Sequence, residues 1–124
     1  METQQETLVQ RKCVPCEGGV PRLSHAQCLL LMDQVPGWVL NSDSTAIRKQ
    51  WVAQDFMEVM RFFEEIAKLA ETEGHHPDLH LTGYRNATVE VYTHAIDGLS
   101  ENDFILAAKI NEIPLKEKRK RTGE

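Results

Sequence analysis

The chain has 124 residues, 41% hydrophobic and 27% charged, with 14 Lys plus Arg against 19 Asp plus Glu, a net charge of −5. That is one domain able to bury a core without staples. It is too acidic to read as a dedicated nucleic-acid binder and lacks the run of about 18 apolar residues that a membrane span needs. Three Cys and a polar start, METQQETLVQRK, give neither a disulfide framework nor a secretory signal. A reducing, cytoplasmic setting is expected, with nucleus and organelle as alternatives.

Residues 1–22 show no periodicity, carry Pro15, Gly18, Gly19 and Pro21, and read as an irregular arm. Residues 23–113 form the expected domain. Residues 114–124, with the tract Lys116-Glu117-Lys118-Arg119-Lys120-Arg121, read as a charged, solvated tail.

Within the domain, Ser24 is an N-cap and Pro36-Gly37 a stop, which predicts a helix over residues 24–35. Trp38-Val39-Leu40 and residues 46–52 flank the polar turn Asn41-Ser42-Asp43-Ser44 and predict two strands. Asp55-Phe56-Met57-Glu58 has the form of a capping box. After it Phe56, Val59, Met60, Phe63, Ile66, Ala67 and Ala70 repeat at three and four, predicting a long amphipathic helix that ends near Gly74. Residues 79–85 and 87–94 predict a hairpin about Arg85-Asn86, with Val89 and Val91 on one face and Thr88, Glu90, Tyr92 and His94 on the other. Ser100-Glu101-Asn102-Asp103 is a second capping box, opening a helix through Phe104, Ala107, Ala108 and Ile110. The order α-β-β-α-β-β-α predicts an α+β fold: a four-stranded antiparallel sheet with three helices on one face.

The chemistry-bearing groups cluster after the long helix. His75-His76-Pro77 follows Glu71, Glu73 and Gly74. Pro77 holds His76 extended, so the adjacent imidazoles point in different directions. They offer two groups titrating near neutrality beside carboxylates. His94, at the predicted end of the last strand, can return to the same cleft across the hairpin. Three converging histidines make an acid/base site or a metal site. Taken singly, each also reads as an ordinary polar surface residue.

The pattern Glu71-x3-His75-His76-Pro77, then Tyr84, Thr93-His94 and Gly98-Leu99-Ser100-x2-Asp103, resembles the pterin-4a-carbinolamine dehydratases. The likeness extends to Pro36-Gly37-Trp38, Lys49-Gln50-Trp51 and Asp55-Phe56 and covers about residues 24–113. The family's α-β-β-α-β-β-α fold agrees with the order read above. There are departures: residues 77–84 run one residue longer than in animal members, and Leu79 stands where those usually carry Trp. The arm Cys13-Val14-Pro15-Cys16-Glu17-Gly18-Gly19 is similar to the extension of plant, bacterial and protozoan members.

The resemblance implies removal of water from a 4a-hydroxy-tetrahydropterin to give quinonoid dihydropterin, in the recycling of a cofactor used by aromatic amino-acid hydroxylases. It implies no metal, nucleotide or redox cofactor, and a homodimer or homotetramer. It also implies His75, His76 and His94 as the catalytic and pterin-binding set. Glu71, Pro77, Trp38, Thr93 and Asp103 follow as substrate-binding positions. On the residues alone, Asp103 is equally a helix cap, Glu71 a solvated residue or histidine orienter, and Trp38 a core residue.

Two other readings stand beside this one. Cys13-x2-Cys16-x8-His25-x2-Cys28 supplies four zinc-competent ligands. Some animal members of the family act as coactivators that dimerise transcription factors, and the basic tail could then serve as a nuclear signal.

Overall fold

The computed structural model describes residues 7–14 and 21–119. Pro15, Cys16, Gly18, Gly19, Lys120 and Arg121 lie outside them. Helices α1 (His25–Met32), α2 (Phe56–Glu73) and α3 (Glu101–Asn111) alternate with strands β1 (Val39–Leu40), β2 (Ile47–Val52), β3 (Asp78–Thr82) and β4 (Asn86–Val91) in the expected order. Every strand pairing is antiparallel and the sheet order is β1-β2-β4-β3. Strand alternation divides the faces: Ile47 and Trp51 of β2 and Ala87, Val89 and Val91 of β4 are buried, while Arg48, Gln50 and Val52 are exposed.

Local chemistry sets the ends of these elements. Ser24 caps α1 with a complete box: its hydroxyl accepts from Gln27 N at 3.2 Å, and Gln27 accepts from Ser24 N at 2.8 Å. The helix stops three residues earlier than expected, because Gln34 N and Val35 N tighten onto Leu31 and Met32 carbonyls before Pro36. Asp55 caps α2 by accepting from Glu58 N at 2.9 Å. Glu58 does not complete that box. Its carboxylate is taken by Arg61, at 3.0 and 2.7 Å, and by Lys116 N at 2.8 Å.

The hairpin turns at Gly83-Tyr84, two residues earlier than Arg85-Asn86. Both residues have positive φ, +53° and +54°, and Asn86 already pairs with Thr82. Two successive left-handed residues give a turn whose twist matches that of the strands. Strand β4 ends at Val91, short of His94, because Thr93 bridges to Gly98 and the chain makes a single 3-10 turn, His94–Ile96.

The buried stripe of α2 is Val59, Phe62, Ile66 and Ala70. Phe62 was absent from the periodic set read above, yet it is central, with its ring 4.9 Å from that of Trp51. Phe56 and Met60, expected in the stripe, face outward with Met57. The apolar band of α2 is wider than the surface the sheet can cover, so a sequence period alone leaves its rotation ambiguous.

Helix α3 is different: Asn102, Asp103, Phe104, Ile105, Leu106, Ala107, Ala108 and Ile110 are all buried. A helix apolar all round needs cover on every side. The β4 strand and α2 supply part of it, and the arm supplies another part. Residues 7–14, read as irregular, make a 3-10 turn at Leu8–Gln10, and Leu8 is 3% exposed within the core. The start of the tail is held as well. Glu117 bridges to Ala53, Lys118 N donates to Val52 O at 2.9 Å, and Arg61 donates to Pro114 O at 2.6 Å.

The Arg61 guanidinium beside Glu58 holds its carboxyl at about 2, below its ordinary 4.5. A depressed folded-state pKa contributes stability above the unfolded value and loses it as pH falls. In urea titrations the stability gap between wild type and Glu58→Gln should be full at pH 6, narrow below about pH 4.5 and close near pH 2. A gap independent of pH would exclude this role for Glu58.

Candidate active site

Residue Gly74 ends α2 in the left-handed conformation, φ +67°, with its N–H and that of His75 both on Ala70 O. This cap turns the chain so that His75 points inward, 8% exposed, while His76 points out. Half-buried Pro77 then leads into β3.

His75 Nε2 lies 2.6 Å from Asp103 Oδ1. Asp103 is 0% exposed. Its other oxygen, Oδ2, accepts from Thr93 Oγ1 at 2.7 Å and from Ser100 N at 2.9 Å. Thr93 spends its one hydroxyl proton on Asp103, so the Ser100 hydroxyl, 2.8 Å away, donates to Thr93. A carboxylate only accepts, so the proton of the His75–Asp103 bond sits on Nε2 and the basic lone pair of the neutral ring sits on Nδ1. Asp103 is thus both the capping residue of α3 and the partner of His75, one oxygen for each task.

His76 makes the outer counterpart, its Nε2 2.5 Å from Glu71 Oε2, with side chains 61% and 76% exposed. His94 is exposed and begins the turn directly after Thr93, its ring 6.3 Å from that of Tyr92. The backbone, through Thr93, is what ties His94 to the Asp103 cluster. The structure therefore gathers His75, Asp103, Thr93 and Ser100 by direct bonds and carries His76 and His94 alongside as chain neighbours. Trp38 is elsewhere. It is buried, 6.0 Å from Trp51, and donates to Asn111 Oδ1 at 2.9 Å. Asn111 is eight residues along α3 from Asp103, about 12 Å.

Glu73, named above only as a carboxylate near the histidines, and Asn102 flank the pair in sequence. Glu73, the last residue of α2, binds Lys109 at 2.7 Å and accepts from Cys13 N at 2.9 Å. Asn102, beside Asp103, accepts from Val14 N at 2.9 Å and donates to Val14 O at 2.7 Å. The available signal was a polar Asn at the start of a helix with no polar face.

Among the described residues, no three His, Cys, Asp or Glu side chains form a metal-binding group. Of the zinc-competent set, Cys28 is buried in the core, His25 Nδ1 is 2.6 Å from Ser44 Oγ, and Cys16 lies outside the described residues. Burial pushes the Cys13 thiol up to about 12, with Glu73 adding to the shift. A cavity of about 590 Å³ lies between the arm and α1, lined by Leu8, Arg11, Leu30 and Glu101 among others but by no histidine.

A family model described as pterin 4 alpha carbinolamine dehydratase matches residues 21–113. The chain is 45% identical over 113 residues to a protein of Arabidopsis thaliana named pterin-4-alpha-carbinolamine dehydratase 2, mitochondrial, covering 89% of this chain and 60% of that one. It is 41% identical over 107 residues to a putative pterin-4-alpha-carbinolamine dehydratase of Halorhodospira halophila, covering 86% and 97%. A solved structure of a transcriptional coactivator/pterin dehydratase from Brucella melitensis superposes with a TM-score of 0.68 at 27% identity, covering 73% of this chain and 96% of that chain.

Removing the Asp103 carboxylate leaves buried donors unmatched at about 1–3 kcal/mol each. Asp103→Ala should therefore lose at least about 3 kcal/mol in urea unfolding. Asp103→Asn should lose less and, by turning its amide toward the ring, move the His75 proton to Nδ1, which 15N NMR reads directly. An Asn variant with the wild-type tautomer would contradict the assigned bond.

Proposed function

Since this chain belongs to the pterin-4-alpha-carbinolamine dehydratase family, we propose that it removes water from a 4a-hydroxy-tetrahydropterin to give quinonoid dihydropterin, by histidine acid/base catalysis. The carrying observation is the buried 2.6 Å bond of His75 to Asp103 within the family's His-His-Pro and Asp pattern.

The reaction protonates the departing 4a-hydroxyl and removes the proton from N5, so water leaves and the ring gains a double bond. Both transfers suit imidazoles with pKa near neutrality. His75, its Nε2 held by Asp103, would exchange protons with the substrate. His94 would serve from the other side of the pterin, and His76, oriented by Glu71, would bind substrate and aid transfer. Pro77 and Thr93 fix the backbone from which these rings extend. In this reading Trp38 would contribute only where a second subunit or a moved loop brings it to the pterin. The chemistry calls for no metal or organic cofactor.

The same reading carries a functional link to a pterin-dependent hydroxylase and self-association as homodimer or homotetramer. Exposed edge strand β3 and outward-facing Phe56, Met57 and Met60 are surfaces suited to a second copy. Among the described residues no helix is long and apolar enough to cross a membrane, in keeping with a cytoplasmic or organellar setting. The coactivator reading, raised above from animal members of the family and the basic tail, is supported in the comparisons by the name of the Brucella relative.

The test is release of quinonoid dihydropterin from synthetic carbinolamine. One positioned acid/base group contributes about 10²–10⁴-fold. His75→Ala and His94→Ala should each lose part of the rate, and the double variant should approach background. His76→Ala should impair both KM and kcat. Chelator-treated protein should keep full activity. A folded His75/His94 double variant with near-wild-type rate would sink the assignment.

A further inference from the structure

We propose that residues 11–14 of the arm form a positioning strap for the His75–Asp103 pair; as a statement about catalysis this rests on the dehydratase reading above. The pair joins two segments distant in sequence, the end of α2 and the start of α3. The strap grips both. On the α3 side, Val14 N donates to Asn102 Oδ1 at 2.9 Å and Val14 O accepts from Asn102 Nδ2 at 2.7 Å. The Cys13 thiol sits 3.5 Å from Asn102 O, and Arg11 pairs with Glu101 at 2.7 Å. Glu101 and Asn102 are the two residues immediately before Asp103.

On the α2 side, Cys13 N donates to Glu73 Oε1 at 2.9 Å. Glu73 is two residues before His75, and its other oxygen is held by Lys109 of α3 at 2.7 Å. The Glu73 and Lys109 side chains are 3% and 16% exposed. The arm's backbone thus supplies one donor to a carboxylate on one helix and a matched donor and acceptor to an amide on the other. The Cys13 thiol, pushed up to about 12 by burial, stays protonated and serves as a weak donor. Asn102 and Glu73 act on substrate only through the pair they flank, so they are positioning residues. Placement errors of about 1 Å can cost about 10²-fold in rate.

The experiment compares Asn102→Ala and Val14→Pro with wild type in the full chain. Val14→Pro deletes the N–H that Asn102 accepts, fixes φ there and keeps Cys13 extended, at a residue whose side chain is exposed. It leaves the buried face of α3 untouched if Asn102→Ala does not fold. Both variants should move the His75 ring 15N shifts while leaving those of His25 in place. They should also lower kcat by about 10–100-fold with KM little changed. Folded variants with wild-type His75 shifts and wild-type kcat would overturn the strap. If wild type itself fails to dehydrate the carbinolamine but the His75 shifts respond, the strap stands and the reaction assignment falls.

Discussion

A carboxylate shut away from water must find its hydrogen bonds inside the protein, because an unpaired buried charge costs several kcal/mol or more. Asp103 finds them on three separate segments: Ser100, the N-cap of α3, Thr93, two residues beyond β4, and His75, two residues beyond α2. The requirement runs both ways. The helix start, the strand end and the inward histidine each have a polar group to satisfy, and one side chain satisfies all three. The α2–α3 packing, the abrupt end of β4 at Val91 and the inward turn at Gly74 follow from that shared need.

The double histidine shows how one backbone bend sorts two identical groups. Successive residues of an extended segment face opposite ways, and Pro77 keeps this segment extended. One ring therefore enters a dry site with a fixed partner. The other meets Glu71 in solvent, where such a pair contributes little to stability and its geometry is easily exchanged. In the proposed chemistry these are complementary: a buried ring held by Asp103, and an exposed one paired with Glu71 at the surface.

Much of this was legible in the sequence where the signal is local. Capping residues Ser24, Asp55 and Ser100, the Gly74 stop and the alternation of Val89 with Val91 gave element order and class. His75, His76 and Asp103 stood out by residue type and spacing. What was not legible depends on partners far along the chain. The rotation of α2 that buries Phe62 is set by Trp51 of β2. Glu58 leaves its capping box for Arg61 and for the N–H of Lys116, the latter 58 residues on. Glu73 and Asn102 meet the arm across 60 and 88 residues. No periodicity encodes such contacts. The single clue was a helix, α3, with more apolar surface than one sheet face can cover.

The two ends of α2 are clipped by opposite ends of the described chain, Glu73 by Cys13 and Glu58 by Lys116. Contacts between residues so far apart close large loops, and their entropic cost falls due before they repay it. During synthesis the arm is made before either helix it clips, and its grip on Glu101 and Asn102 has to wait until α3 has been made. The clip at the histidine end is therefore among the final contacts to form. A nascent chain that has already built its sheet and α2 still lacks α3, and with it Asp103, so the site matures only once that helix has been made.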